Sequence, residues 1–138
     1  MGSRELWRAL RQLTDFWADP ASEVTMKARL IENGKVKEVH TMGLIHRTLA
    51  AAEQGLKTLE IWHLTIPPGS ETPVSRHYGE VVAITLNGTG RAAIGEDERL
   101  DLFPNTTLVI PPQVPRWLVN TGGEDLVVLI IRSLAPPQ

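Results

Sequence analysis

Residues 69 to 120 constrain this chain more than any other stretch, because turn-forming residues recur there at fixed distances around short strand-like runs. The first block holds Gly69, Ser75-Arg76-His77, Glu80-Val81 and Gly88. The second holds Asn105, Pro111, Gln113, Arg116 and Asn120. Within and around these blocks, residues 56–66, 80–86, 91–94, 100–103, 106–110, 116–119 and 126–132 read as strands. Pro67-Pro68-Gly69 stops the first of them, and Asn87-Gly88-Thr89-Gly90 closes the second. Short strands with turn signals at regular intervals predict a sandwich or barrel. Upstream, residues 24–31 begin as an alternation, Asn33-Gly34 predicts a hairpin turn, and residues 35–48 return as a strand. Residues 48–54 are Ala-rich and stay open between strand and helix.

The two blocks resemble the motifs of the cupin superfamily. The first cupin motif is Gly, five residues, His-x-His, three or four residues, Glu, six residues, Gly. The second is Gly, five residues, Pro-x-Gly, two residues, His, three residues, Asn. Here Ser75 stands at the first His position, His77 at the second, and Val81 at the Glu position with Glu80 one step away. Asn105 and Gln113 replace the two glycines of the second motif, Arg116 replaces its His, and Pro111 and Asn120 match. The resemblance implies an all-β cupin double-stranded β-helix, a jelly-roll barrel with a central cavity. It also implies that most of the family's metal ligands are missing.

Length and composition narrow the rest. A chain of 138 residues is the size of one domain. We expect an N-terminal helix and linker over residues 1–22 and the barrel over 23–138. Ser3 is a candidate cap, and Leu6, Leu10, Leu13 and Trp17 form one stripe of a helix over residues 3–18, widened by Trp7 and Phe16. Asp19-Pro20 ends it. The chain has no cysteine, which excludes disulfides, thiolate ligands and a thiol nucleophile. A net charge of −2 without a basic block argues against nucleic acid. No run of 18 apolar residues and no signal-peptide pattern is present, so a cytoplasmic protein without membrane contact is expected. The run 126–131 is apolar on both faces, which predicts a homodimer.

Residues i and i+2 of a strand share a face. Ser75 and His77 are therefore expected to point together, and Arg116 to enter the same cavity with Leu118 and Asn120. Glu80 joins them if a bulge shifts the register by one. A divalent cation needs three or four converging donors, and the fixed charge of Arg116 repels one. No metal or other cofactor is therefore expected; His77 and Glu80 are the candidate ligands if one is held. His46 and His63 read as half-buried structural histidines, with metal ligation as the alternative, and His40 as exposed. Arg116 is read either as bridged to Glu80 or as a clamp for an anion. The expected catalytic set is His77, Arg116 and Glu80. The expected ligand contacts are Ser75, Arg116, Asn120 and Trp62, with the parity of Trp62 against His63 left open. Metal-independent acid–base chemistry (isomerase, cyclase or lyase type) on an anionic or oxygenated small molecule is the leading reading. The alternatives are a non-catalytic ligand-binding barrel and a metal-dependent enzyme with an unusual ligand set.

Overall fold

Met42 and Gly43 both adopt positive φ, 53° and 78°, and Thr41 pairs with Leu44 directly across them. That is the geometry of a tight two-residue hairpin, and it joins β1 (Val39–Thr41) to β2 (Leu44–Ala50). The computed structural model describes residues 2–6, 8 and 27–134. The chain continues through β3 (Leu59–Ile66), β4 (Val81–Asn87), β5 (Gly90–Ile94), β6 (Glu98–Leu102), β7 (Thr106–Ile110), β8 (Arg116–Asn120) and β9 (Leu126–Ser133). The strands form a six-stranded sheet in the order β1-β2-β3-β9-β4-β7 and a three-stranded sheet in the order β6-β5-β8. Every pairing is antiparallel. Isolated bridges from Glu71 to Val119 and from Ser75 to Arg116 lay the segment after β3 along the free edge of β8.

The core lies between the sheets, built by alternate residues. Ile66, Val81, Val128, Leu126 and Ile110 are almost fully buried. On β9 the even residues Leu126, Val128 and Ile130 face inward, while Val127, Leu129 and Ile131 are only half-buried on the outer face. That outer face, with Ile61 beside Ile131 and Val82 on the other flank, is the surface on which the homodimer expectation rests.

The expected strands from residue 56 onward appear within about three residues of their expected ends. The N-terminal part departs from expectation. Residues 3–6 and 8 are helical; the remainder of the expected helix, including Leu10, Leu13 and Trp17, lies outside the described residues, as do 24–26. Residues 27–31 form no strand, and Asn33-Gly34 is not a hairpin turn but opens a 3₁₀ turn, Asn33–Lys35. An Asn-Gly pair makes a hairpin only when both flanks find ladder partners, and Leu30 is 96% exposed. The single strand expected over 35–48 is instead the β1–β2 hairpin. Residues 52–54 form a second 3₁₀ turn closed by Gly55 at φ 96°.

The two positions where the cupin motif has glycine and this chain does not are both left-handed. Asn105 has φ 66° and Gln113 has φ 64°. Asparagine tolerates that region, whereas glutamine is strained in it. Gln113 is exposed. Gln113→Gly is therefore expected to raise stability by about 0.5–1 kcal/mol, the strain relieved less the greater chain entropy of glycine. Urea unfolding midpoints of the two proteins check this, and a lower midpoint in the variant contradicts it.

Candidate functional site

A cavity of about 170 Å³ opens between the two sheets. Six strands contribute to its wall, and three of them supply the side chains that define it. β2 brings His46, two residues from buried Leu44 and paired with Leu64 of β3. β3 brings Trp62, which pairs with Ile130 of β9. β8 brings Arg116 and Leu118. Ser75 also lines it, held by reciprocal backbone hydrogen bonds with Arg116 at 2.9 and 3.0 Å. Most of the remaining wall is aliphatic, including Ile110 and Ile130.

Arg116 is the unusual member. The residue is 9% exposed, and its Nη1 is buried without a hydrogen-bond partner. It forms no ion pair among the described residues. Burial lowers its pKa, and the charge of Arg132 lowers it further. A guanidinium stays protonated all the same. A buried charge without a partner is costly, and a guanidinium fork has the chemistry to pair with an anion.

Trp62 is held as a fixed wall. The Arg132 guanidinium lies 3.9 Å from its ring centroid, and Arg132 Nε donates to Glu60 Oε1 at 2.5 Å. The His46 ring meets Trp62 edge-on, with centroids 4.7 Å apart and planes at 67°. Strand pairing settles the parity of residues 62 and 63. Trp62 lines the cavity, and His63 pairs across to Arg47 and Leu129 on the outer face.

Ser75, Trp62 and Arg116 therefore come together, while three other candidates do not join them. His77 does not line the cavity; its Nε2 donates to the Ser133 carbonyl at 2.8 Å, and its ring lies against Tyr78. The reason is local. Residues 71–80 bridge β8 at Glu71 and Ser75, with Thr72 hydrogen-bonded to Leu118 between them, and no bridge to β8 continues past Ser75, so the alternation that would bring Ser75 and His77 to one face does not extend that far. Glu80 is exposed, and Val81, 1% exposed, takes the interior position. The register of β4 runs without a break from Val81 to Thr85, so the bulge that would admit Glu80 is absent. The Arg116–Glu80 bridge does not form. Asn120 serves structure rather than ligand. Its Nδ2 donates to the carbonyls of Ile66 and Glu124 at 2.8 and 2.7 Å, and its Oδ1 accepts from Gly122 N–H at 2.8 Å.

His46 is the cavity residue that sequence reasoning passed over as structural. Its parity with Leu44 was the available signal, since both belong to the inner face of β2. His40 is exposed as expected, beside Glu38 at 3.1 Å.

The donors suit a cation poorly. Among the described residues no three His, Asp or Glu side chains converge. Of the four motif positions, one is a valine in the core, one an arginine and one a histidine turned away. The site does not fit a divalent ion, and Arg116 opposes it.

Three histidines carry lowered pKa values relative to the ordinary 6.5. Burial is the main cause for each; Arg132 adds to it for His46 and His77, and Arg47 for His63. A depressed pKa contributes stability above the unfolded value, lost as pH falls through the folded one. Thermal stability is expected to drop as pH is lowered from about 7 to about 5. Calorimetric midpoints across that range test it, and a flat profile contradicts the burial of these rings.

Two antiparallel sheets around a small cavity, lined from β1, β2, β3, β7, β8 and β9, define a cupin barrel. A family model described as auxin binding protein matches residues 28–138, and the chain belongs to that family. Auxin-binding protein 1 of Arabidopsis thaliana is 40% identical over 103 residues, covering 68% of this chain and 52% of the relative. Auxin-binding protein 4 of Zea mays is 33% identical over 123 residues, covering 76% and 60%. The chain thus spans little more than half the length of these relatives. Among solved structures, the polyketide cyclase RemF from Streptomyces resistomycificus superposes with a TM-score of 0.67 at 21% identity, covering 82% of this chain and 83% of that one. An RmlC-like cupin from Shewanella frigidimarina gives 0.67 at 15% identity, covering 79% and 93%. At these identities the likeness concerns the fold. No helix among the described residues is long and apolar enough to cross a membrane.

Proposed function

We propose that this domain binds a small aromatic carboxylate in the barrel cavity, with Arg116 as the anchor of the carboxylate and Trp62 as a wall for the ring. The observation that carries this is the unpartnered Nη1 of Arg116, buried in a cavity whose lining is otherwise mostly apolar. A guanidinium fork matches a carboxylate in bidentate geometry. A dry cavity of about 150 Å³ accepts benzene. The 170 Å³ here therefore suits one ring, with more of the ligand toward the opening. Kinship with proteins named as auxin-binding supports the same ligand class, since auxins are aromatic carboxylic acids. Binding is preferred to acid–base chemistry by His77 and Glu80, because neither residue lines the cavity with Arg116.

The test is calorimetric titration with phenylacetate, indole-3-acetate and neutral phenylacetamide. The carboxylates are expected to bind at least about tenfold more tightly than the amide, the lower range of a charge-assisted hydrogen bond. Equal affinity for acid and amide, or no binding of either acid, refutes the reading.

A further inference from the structure

The cavity contains a second group able to do chemistry. His46 lies on β2 and Arg116 on β8, and both line the same small space. The imidazole is fixed edge-on against Trp62. Its one side-chain hydrogen-bond contact among the described residues, Thr48 Oγ1, sits at 3.5 Å from Nε2, the outer limit of a hydrogen bond. Nε2 is thus left without a strong partner. Trp62 in turn is locked by Arg132 and Glu60, so the imidazole rests on a rigid support.

We propose that His46 and Arg116 form an acid–base pair that enolises a small aromatic 2-oxo acid held in this cavity. The inference rests on Arg116 as the carboxylate anchor and adds turnover to it. The guanidinium spans one carboxylate oxygen and the neighbouring keto oxygen. His46 Nε2 removes a proton from C3. The C–H electron pair becomes the C2–C3 double bond, and the negative charge moves to the keto oxygen beside the guanidinium. The imidazolium then returns a proton to C3 or to the enolate oxygen. Nothing is oxidised or reduced, and no co-reactant is needed. The arrangement favours the transition state because the charge that develops on the keto oxygen meets a cation already in place. Apolar walls strengthen that contact. Burial also keeps His46 in its neutral, proton-accepting form, an effect that nearby Arg132 supports and Glu60 opposes.

The experiment uses phenylpyruvate in deuterated buffer. Proton NMR follows loss of the C3 methylene signal, and calorimetry reads affinity on the same samples. Wild type is expected to accelerate exchange well above buffer. His46→Asn should reduce the acceleration by about 10²-fold, the lower range for a positioned base, while keeping affinity within about threefold. His46→Gln serves as the second variant should asparagine disturb the packing against Trp62. Arg116→Met should lose both affinity and exchange, and His63→Asn on the outer face should lose neither. Binding by wild type without faster exchange overturns the inference and leaves the ligand reading standing. Exchange in both His46 variants at the wild-type rate overturns it as well. Failure of wild type to bind phenylpyruvate or the simple carboxylates refutes both.

Discussion

Replacing Arg116 by methionine is expected to raise the melting temperature of the ligand-free protein while lowering its affinity for an aromatic carboxylate. The two effects have one cause. Nη1 is buried without a partner, so the folded chain carries an uncompensated charge until an anion arrives. Methionine has similar length and no charge to desolvate. Removing the unsatisfied group should stabilise by about 1–3 kcal/mol, and for a domain of this size that is roughly 3–10 °C in Tm. The loss on binding is the value of a charge-assisted bidentate contact, about 1.5–3 kcal/mol, or roughly ten- to a hundredfold in affinity. Arg116→Lys keeps the charge but not the fork and should recover only part of the affinity. Scanning calorimetry with and without phenylacetate reads both effects in one series. A variant that is less stable and binds equally well would show Arg116 to be a packing residue.

Gly88→Ala is expected to destabilise the barrel by about 2–5 kcal/mol. Gly88 turns the chain from β4 to β5 at φ 80°. A Cβ there would lie 2.3 Å from the Asp125 carbonyl oxygen and 2.9 Å from Leu126 Cα. Both atoms are backbone, so no side chain can swing away. Leu126 is fully buried at the start of β9, which limits how far the backbone can retreat. The left-handed conformation costs about 1–2 kcal/mol for alanine, and displaced packing adds about 1–3 kcal/mol. A fall of roughly 10 °C in Tm should follow. Gly123→Ala is the control, because a Cβ there meets nothing within 4 Å. A fall no greater than in that control would mean that the turn absorbs the methyl group.

Whatever depends on neighbours along the chain was legible in the amino-acid order. Turn residues and strand alternation belong to this class. They placed β3 to β9 and put Arg116, Leu118 and Asn120 on the buried face of one strand, where all three are found. The resemblance to the cupin motifs marked Asn105 and Gln113 as stand-ins for glycines, and both take the left-handed backbone that glycine would relieve. Composition alone ruled out thiol chemistry.

Which side chains meet was set by the way the strands pair and the two sheets pack. Whether Asn33-Gly34 becomes a hairpin depends on ladder partners for its flanks, and Met42-Gly43 has them instead. The choice between Trp62 and His63 was settled by the pairing of β3 with β9, which period-two alternation leaves free to fall either way. His77 kept its motif position but lost its place in the cavity, because a segment bridged at two points does not impose strand alternation on the residues beyond. His46, distant from both motifs, gained that place because β2 closes the barrel beside β3. Such contacts arise from the closure of two sheets over a core, a non-local event that no short stretch of sequence encodes.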